Sequence, residues 1–253
     1  MAIFNKKNRA FINRVYWSSR KALSFERFWS LPKNWFDTPN EARGGWSGVT
    51  RTEFDTRKGI VKAFVKRQQN YYSRTWRHPF KGIPTFQKEL ENIQQLKKLK
   101  IPTLNPLYFG KQDDRAVLIT KALDNYTSLD NVDPTQLTQQ KRRQLIRKLA
   151  KLTRKLHRSH YVHNCYYPKH VFVKLTKKGK WKIRLIDLEK LRWRFSSKLA
   201  MKRDLSSFNR HADDRWTVKD RLYFFKAYLN VETLSAKDKK LWRKLTPRKR
   251  STQ

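Results

Sequence analysis

The sequence predicts an α+β chain, with antiparallel hairpins around one helix in its first half and a long amphipathic helix followed by a further hairpin in its second. Three observations predict it. Alternating apolar and polar residues form hairpins around Arg57-Lys58-Gly59 and Asp113-Asp114, with a helical pattern from about Thr85 to Leu99 between them. Leu145, Leu149, Leu152 and Leu156 recur at helical spacing over 141–157. A third hairpin, 171–186, turns at Gly179 and ends at Asp187.

Composition sets the boundaries. The 253 residues include 60 Lys and Arg against 20 Asp and Glu, a net charge of +40. An apolar share of 38 % with nine Trp excludes a fully disordered chain. No apolar run reaches the roughly 18–20 residues of a membrane span. The first thirty residues interleave cations with single apolar residues, so no signal peptide is expected. The one cysteine, Cys165, excludes an intrachain disulfide and fits a reducing compartment. The surplus of cations calls for a polyanion, and nucleic acid, an anionic membrane face and a phosphorylated glycolipid all fit. The charge is spread along the chain, and much of it reads as solvated surface.

Residues 1–37 mix cations with Phe4, Phe11, Ile12, Val15, Tyr16 and Trp17, which suits either an interfacial helix or a docked extension. Three of the seven glycines follow, as Gly44, Gly45 and Gly48, ahead of the first hairpin. Glycines there let backbone N–H groups approach phosphate oxygens, although an ordinary tight turn uses them too. The second strand closes with Ala63-Phe64-Val65-Lys66, and a lysine ending a buried strand needs an anion. On the helix that follows, Phe86, Leu90, Ile93 and Leu96 share one stripe, and Glu89, about 300° from Phe86, falls inside it. Lys66 is the nearest candidate for its partner. In helix 141–157 the leucines face a core, and Arg143, Arg147, Lys148, Lys151, Arg154 and Lys155 fill the other side. The loop 157–170 then gathers His157, His160, His163, Asn164, Cys165 and His170 ahead of the last hairpin.

These elements stand in the order of a protein-kinase-like fold. The local strings NEARGGWSGV (40–49), FVKRQ (64–68), RHPFKGIPTFQKELENIQQLKKLKIPT (77–103), HNCYYPKHVFVKL (163–175), LIDLEK (185–190) and RDLSSF (203–208) carry a closer likeness. The chain resembles the bacterial lipopolysaccharide core heptose and Kdo kinases, and within them the InaA branch, over most of residues 40–230. The resemblance implies a bilobal protein-kinase-like fold, with a basic N-terminal extension (1–37), a small lobe (38–118) and a large lobe (119–253), ATP and Mg²⁺ as cofactors, and an anionic glycolipid or lipopolysaccharide core acceptor. It implies that Lys66 contacts the nucleotide phosphates, Glu89 pairs with Lys66, and Asp187 binds the metal. It also implies that Gly44, Gly45 and Gly48 cover the phosphates, Thr120 to Leu123 form the adenine hinge, and Asp204 braces the catalytic loop.

One departure stands out. Where such kinases carry a catalytic aspartate, this chain has Asn164, whose amide takes no proton at neutral pH. The second metal ligand would follow five residues later, at Lys169, with His170 at six. His163 and His170 are each either a hydrogen-bonded structural histidine or a replacement base. Cys165 reads as an inert buried thiol. Three functions therefore remain: an ATP-dependent sugar kinase, a pseudokinase that binds nucleotide or acts as an adaptor, and, last, a nucleic-acid-binding protein. The kinase reading places the chain in the cytoplasm, resting on the inner membrane face through basic and aromatic residues.

Overall fold

The computed structural model describes residues 25–42, 44–56, 59–75 and 78–246. The aromatic residues 4–17 singled out above lie outside them. The chain forms two compact units: residues up to 95 with 104–124, and 96–103 with 125–253. It leaves the first unit after Asp124.

The first unit is built on a five-stranded antiparallel sheet: β1 (Asn40–Ala42), β2 (Gly45–Thr56), β3 (Gly59–Gln69), β6 (Pro106–Gln112) and β7 (Arg115–Lys121). Its strand order is β1-β2-β3-β7-β6. A separate ribbon pairs β4 (Tyr72–Thr75) with β5 (His78–Pro84). Both expected hairpins form, β2 with β3 and β6 with β7.

Strand side chains alternate between faces, so the sheet sorts its residues. On one face Ala63, Val65, Val117 and Ile119 pack with Phe54, Tyr108, Phe25 and Phe28. Phe25 and Phe28 come from a short helix, α1 (Phe25–Trp29), so residues 25–36 are a docked part of this unit. On the other face Ala116, Leu118 and Phe109 pack with Phe86 and Leu90 of helix α2 (Thr85–Lys98). Gln68 of β3 joins strand to helix, its Oε1 accepting from Phe86 N at the start of α2. Without that acceptor one of the helix's first N–H groups would be buried unpaired.

The second unit is mostly helical: α3 (Gln139–Arg158), α4 (Ser197–Arg210), α5 (Val218–Leu229) and α6 (Ala236–Leu245). Leu145, Leu149 and Leu156 of α3 are buried and its basic residues face outward, as the period predicts. Ala150 of α3 packs with Met201, Leu205, Phe225, Tyr228, Leu234 and Leu245. A small sheet pairs β10 (Val171–Leu175) with β11 (Trp181–Leu185) and β8 (Thr127–Ser128). A second ribbon pairs β9 (Tyr161–Val162) with β12 (Arg192–Trp193). Among the described residues no helix is long and apolar enough to cross a membrane.

Candidate active site

In the first unit the site begins with alternation along β3. Val65 points to the α1 face, so Lys66 points to α2, where Glu89 waits one turn beyond Phe86. The ammonium of Lys66 lies 2.7 Å from each carboxylate oxygen of Glu89. The Glu89 side chain is 1 % exposed and that of Lys66 17 %. A carboxylate so buried is costly without a cation. An ammonium has three donors, and Glu89 takes two of Lys66's.

The glycines divide. Gly44 occupies the turn between β1 and β2 at φ +76°, with open space where a Cβ would project. Gly45 and Gly48 lie within β2 and belong to no loop. A Cβ on Gly45 would strike the backbone of Gln69 and Asn70, and one on Gly48 would strike the Trp35 ring. Of the three, only Gly44 thus stands in the turn, while Gly45 and Gly48 stand in the strand that leaves it. The other two are glycine because neighbouring atoms come too close for a side chain. Thr120 is buried in β7 opposite Phe64, and Leu123 is half-buried beyond the strand. The N–H groups of Lys121 and Ala122 are already bonded, to Asn105 O and Lys62 O.

In the second unit Asp204, fully buried on α4, organises the loop after β9. Its Oδ2 accepts from His163 N at 2.7 Å and from His157 Nε2 at 3.1 Å, and its Oδ1 from Asn164 N at 3.0 Å. Three donors on one carboxylate set the backbone of this loop rigidly. Asn164 sits in the left-handed region at φ 65°, and its side-chain amide donates to Lys190 O at 2.7 Å. Asp187 is also left-handed, at φ 56°. Asn and Asp tolerate that conformation best among residues with a Cβ.

His163 is wholly buried. Its Nε2 donates to Ile186 O at 3.0 Å, which leaves Nδ1 as a bare, buried acceptor without a partner. Burial outweighs the pull of Asp204 and Asp187 and holds the imidazole below its ordinary pKa. Of the two readings of His163, this burial and the bond to Ile186 O support the hydrogen-bonded structural histidine. His170 is different. Its Nδ1 donates to Cys165 O at 2.8 Å and lies 3.3 Å from Asp187 Oδ2, while Lys169 is exposed. His170, six residues after Asn164, is thus the residue that meets Asp187. Burial pushes the Cys165 thiol up, with Asp187 adding to it, so the thiol stays protonated and inert.

The donors can be matched to the implied cofactors. Lys66, part-exposed and already ion-paired, suits a nucleotide phosphate, and open space at Gly44 suits a close approach. The Asp187 carboxylate, 35 % exposed, suits a hard divalent cation, whereas the imidazole of His170 is a softer ligand than Mg²⁺ prefers. Among the described residues no cluster of three His, Cys, Asp or Glu side chains surrounds a common point.

Sequence reasoning missed Arg67. It is fully buried yet meets no carboxylate: Nη1 donates to Trp29 O at 3.1 Å and to Leu31 O, Nη2 to Pro32 O at 3.0 Å and to Thr50 Oγ1 at 3.2 Å. Its guanidinium lies 5.2 Å from the Trp35 ring centre. The alternation that sends Lys66 to Glu89 already sends Arg67 to the opposite face, so the signal was present in the sequence.

Comparison with known proteins agrees with this geometry. The model of the lipopolysaccharide kinase (Kdo/WaaP) family matches residues 26–228. The match begins well before residue 38, in the docked segment that the sequence reading placed outside the resemblance. Protein InaA of Escherichia coli (strain K12) is 27 % identical over 206 residues, covering 77 % of this chain and 91 % of that protein. The structure of WaaP in complex with acyl carrier protein superposes with a TM-score of 0.63 at 17 % identity, over 91 % of this chain and 89 % of that one. An aminoglycoside-3'-phosphotransferase of type VIII gives 0.50 at 15 % identity, over 83 % and 92 %. These likenesses establish a protein-kinase-like fold. With the strand lysine paired to its helix glutamate and an aspartate bracing the loop, the chain belongs to the lipopolysaccharide kinase (Kdo/WaaP) family.

Proposed function

We propose that the protein is an ATP-dependent phosphotransferase that acts on a sugar hydroxyl of lipopolysaccharide core or a related anionic glycolipid, at the cytoplasmic face of the membrane. The carrying observation is the buried Lys66–Glu89 pair, which leaves a part-exposed ammonium with one donor beyond the two that Glu89 takes. Lys66 would hold nucleotide phosphate, Gly44 would admit it, and Asp187 would hold Mg²⁺. The bound nucleotide and metal supply the phosphoryl group and neutralise the charge on it.

The acceptor's proton is the weak point. The Asn164 amide accepts none and is spent on Lys190 O. His170 is the remaining candidate, because a proton kept on Nδ1 for Cys165 O leaves the lone pair on Nε2. Phosphoryl transfer has a loose transition state and depends mainly on positioning and charge. Losing a general base costs about 10²–10⁴-fold and need not abolish the reaction.

Asn164 also favours a second reading, a pseudokinase that binds ATP without transferring phosphate. Two measurements separate the readings. ATP with Mg²⁺ should raise the melting temperature, since whatever binds the folded state stabilises it. Radiolabelled phosphate should then pass to core oligosaccharide. Transfer by the native chain supports the kinase, transfer only after Asn164→Asp supports the binder, and absence of ATP stabilisation rejects both.

A further inference from the structure

Residues 190–203 carry six cations and no carboxylate: Lys190, Arg192, Arg194, Lys198, Lys202 and Arg203. All six are exposed, and none forms an ion pair among the described residues. Within the same stretch Trp193 is 48 % exposed, Phe195 90 % and Leu199 63 %. Leaving a Phe in water forgoes about 1.5–3 kcal/mol of burial, so such a cluster needs a reason.

The aromatic tips do not hang loosely. β12 pairs with β9, Arg194 N donates to His160 O at 2.7 Å, and His160 Nδ1 lies 3.1 Å and 3.0 Å from the carbonyls of Arg194 and Phe195. The His160 ring stacks on Trp193 at 5.8 Å, and Trp193 meets Phe195 edge-on at 4.6 Å. The backbone therefore presents Trp193 and Phe195 outward, and the next helix, α4, adds Leu199 among Lys198, Lys202 and Arg203.

We infer that the β9–β12 ribbon and the exposed face of α4 dock on an anionic lipid bilayer. Cations lie beside the apolar groups, so a surface with negative headgroups above hydrocarbon complements both at once. Trp is suited to that interface, and each Lys or Arg near an anionic leaflet contributes about 1 kcal/mol. A nucleic acid would match the cations and the rings but not Leu199. The ribbon is tied to the candidate active site on both sides. β9 runs directly into His163 and Asn164, and Asn164 bonds to Lys190 O, the residue that opens the basic stretch. The surface deepens the proposed function and rests on it in one respect, that an acceptor embedded in a bilayer would be met beside this loop.

Vesicle flotation of the full chain tests the inference without requiring turnover. The native protein should float with phosphatidylcholine vesicles containing about one third phosphatidylglycerol and stay behind with phosphatidylcholine alone. Trp193→Ser/Phe195→Ser/Leu199→Ser and, separately, Arg192→Gln/Arg194→Gln/Lys198→Gln should each lower partitioning about tenfold or more, with unchanged melting temperature. Flotation that survives both triple substitutions overturns the inference, as does equal binding to neutral vesicles. If the same substitutions abolish binding to an oligonucleotide but spare flotation, the surface is a nucleic-acid site and the inference also fails. An ATP-induced thermal shift measured on the same variants keeps the two readings apart. Lost flotation with intact ATP binding supports the surface, whereas intact flotation without ATP binding counts against the kinase alone.

Discussion

Lys66 and Arg67 are consecutive in β3, and their side chains leave the sheet on opposite faces. Lys66 reaches a carboxylate on α2, and Arg67 reaches the carbonyls that end α1 and continue past it. One strand thus anchors a candidate catalytic pair on one side and the N-terminal segment on the other. The ammonium meets a charge. The guanidinium meets only dipoles, and burial holds its pKa below the ordinary value.

Lys66→Met should destabilise the protein by about 3–5 kcal/mol, because it leaves the Glu89 carboxylate buried without a cation. Lys66→Met/Glu89→Leu should regain most of that loss in urea denaturation. Neither variant should show an ATP-induced rise in melting temperature. If the double variant keeps the rise, the pair has no part in nucleotide binding.

Arg67→Lys keeps the charge and removes the fork. A single ammonium cannot serve carbonyls on Trp29, Leu31 and Pro32 together with Thr50 Oγ1. We expect a loss of about 2–4 kcal/mol and faster hydrogen exchange in residues 25–36. Unchanged exchange there would show that apolar packing of Phe25 and Phe28 suffices.

Asp204→Asn replaces one acceptor oxygen with an NH₂ group facing the donors of His163, Asn164 and His157. The cost should be about 2–4 kcal/mol, with the amides of His163 and Asn164 losing protection first. Equal protection in variant and native chain would assign the loop's order to packing instead.

His163 supplies a pH dependence whose sign is determined. Its pKa in the folded chain lies below the ordinary 6.5. As pH falls through 6.5 the unfolded chain takes the proton first, so stability decreases toward acid and recovers on raising the pH. A single such group contributes at most about 1.4 kcal/mol per pH unit in that window. His163→Gln, which keeps a donor for Ile186 O, should flatten the acid limb of a stability profile. A limb of unchanged slope would place the acid sensitivity elsewhere.

Much of the site was legible because local period fixes direction. The helical stripe turned Glu89 inward and the strand-end Lys66 stood nearest to pair with it, while the bracing role of Asp204 was implied by the family resemblance of the Arg-Asp-Leu string. The close approach of Trp35 to Gly48 was not legible, because Trp35 lies thirteen residues away and such a contact leaves no local trace. His163 stayed open between two readings for a related reason. A histidine's chemistry depends on which nitrogen is bonded and how deeply the ring is buried, and neither is written in the residues beside it.

By itself the sequence determined the order of elements, the inward Glu89 with its nearby lysine, and the strand-end Asp187. Each is a matter of residue type or of spacing along one element. Only the tertiary structure decided that Arg67 holds residues 25–36, that His163 is closed off while His170 meets Asp187, and that Trp193 and Phe195 point outward. Those outcomes depend on which distant surfaces exclude water from a given group, and exclusion of water is a property of the packed chain, not of any stretch of it.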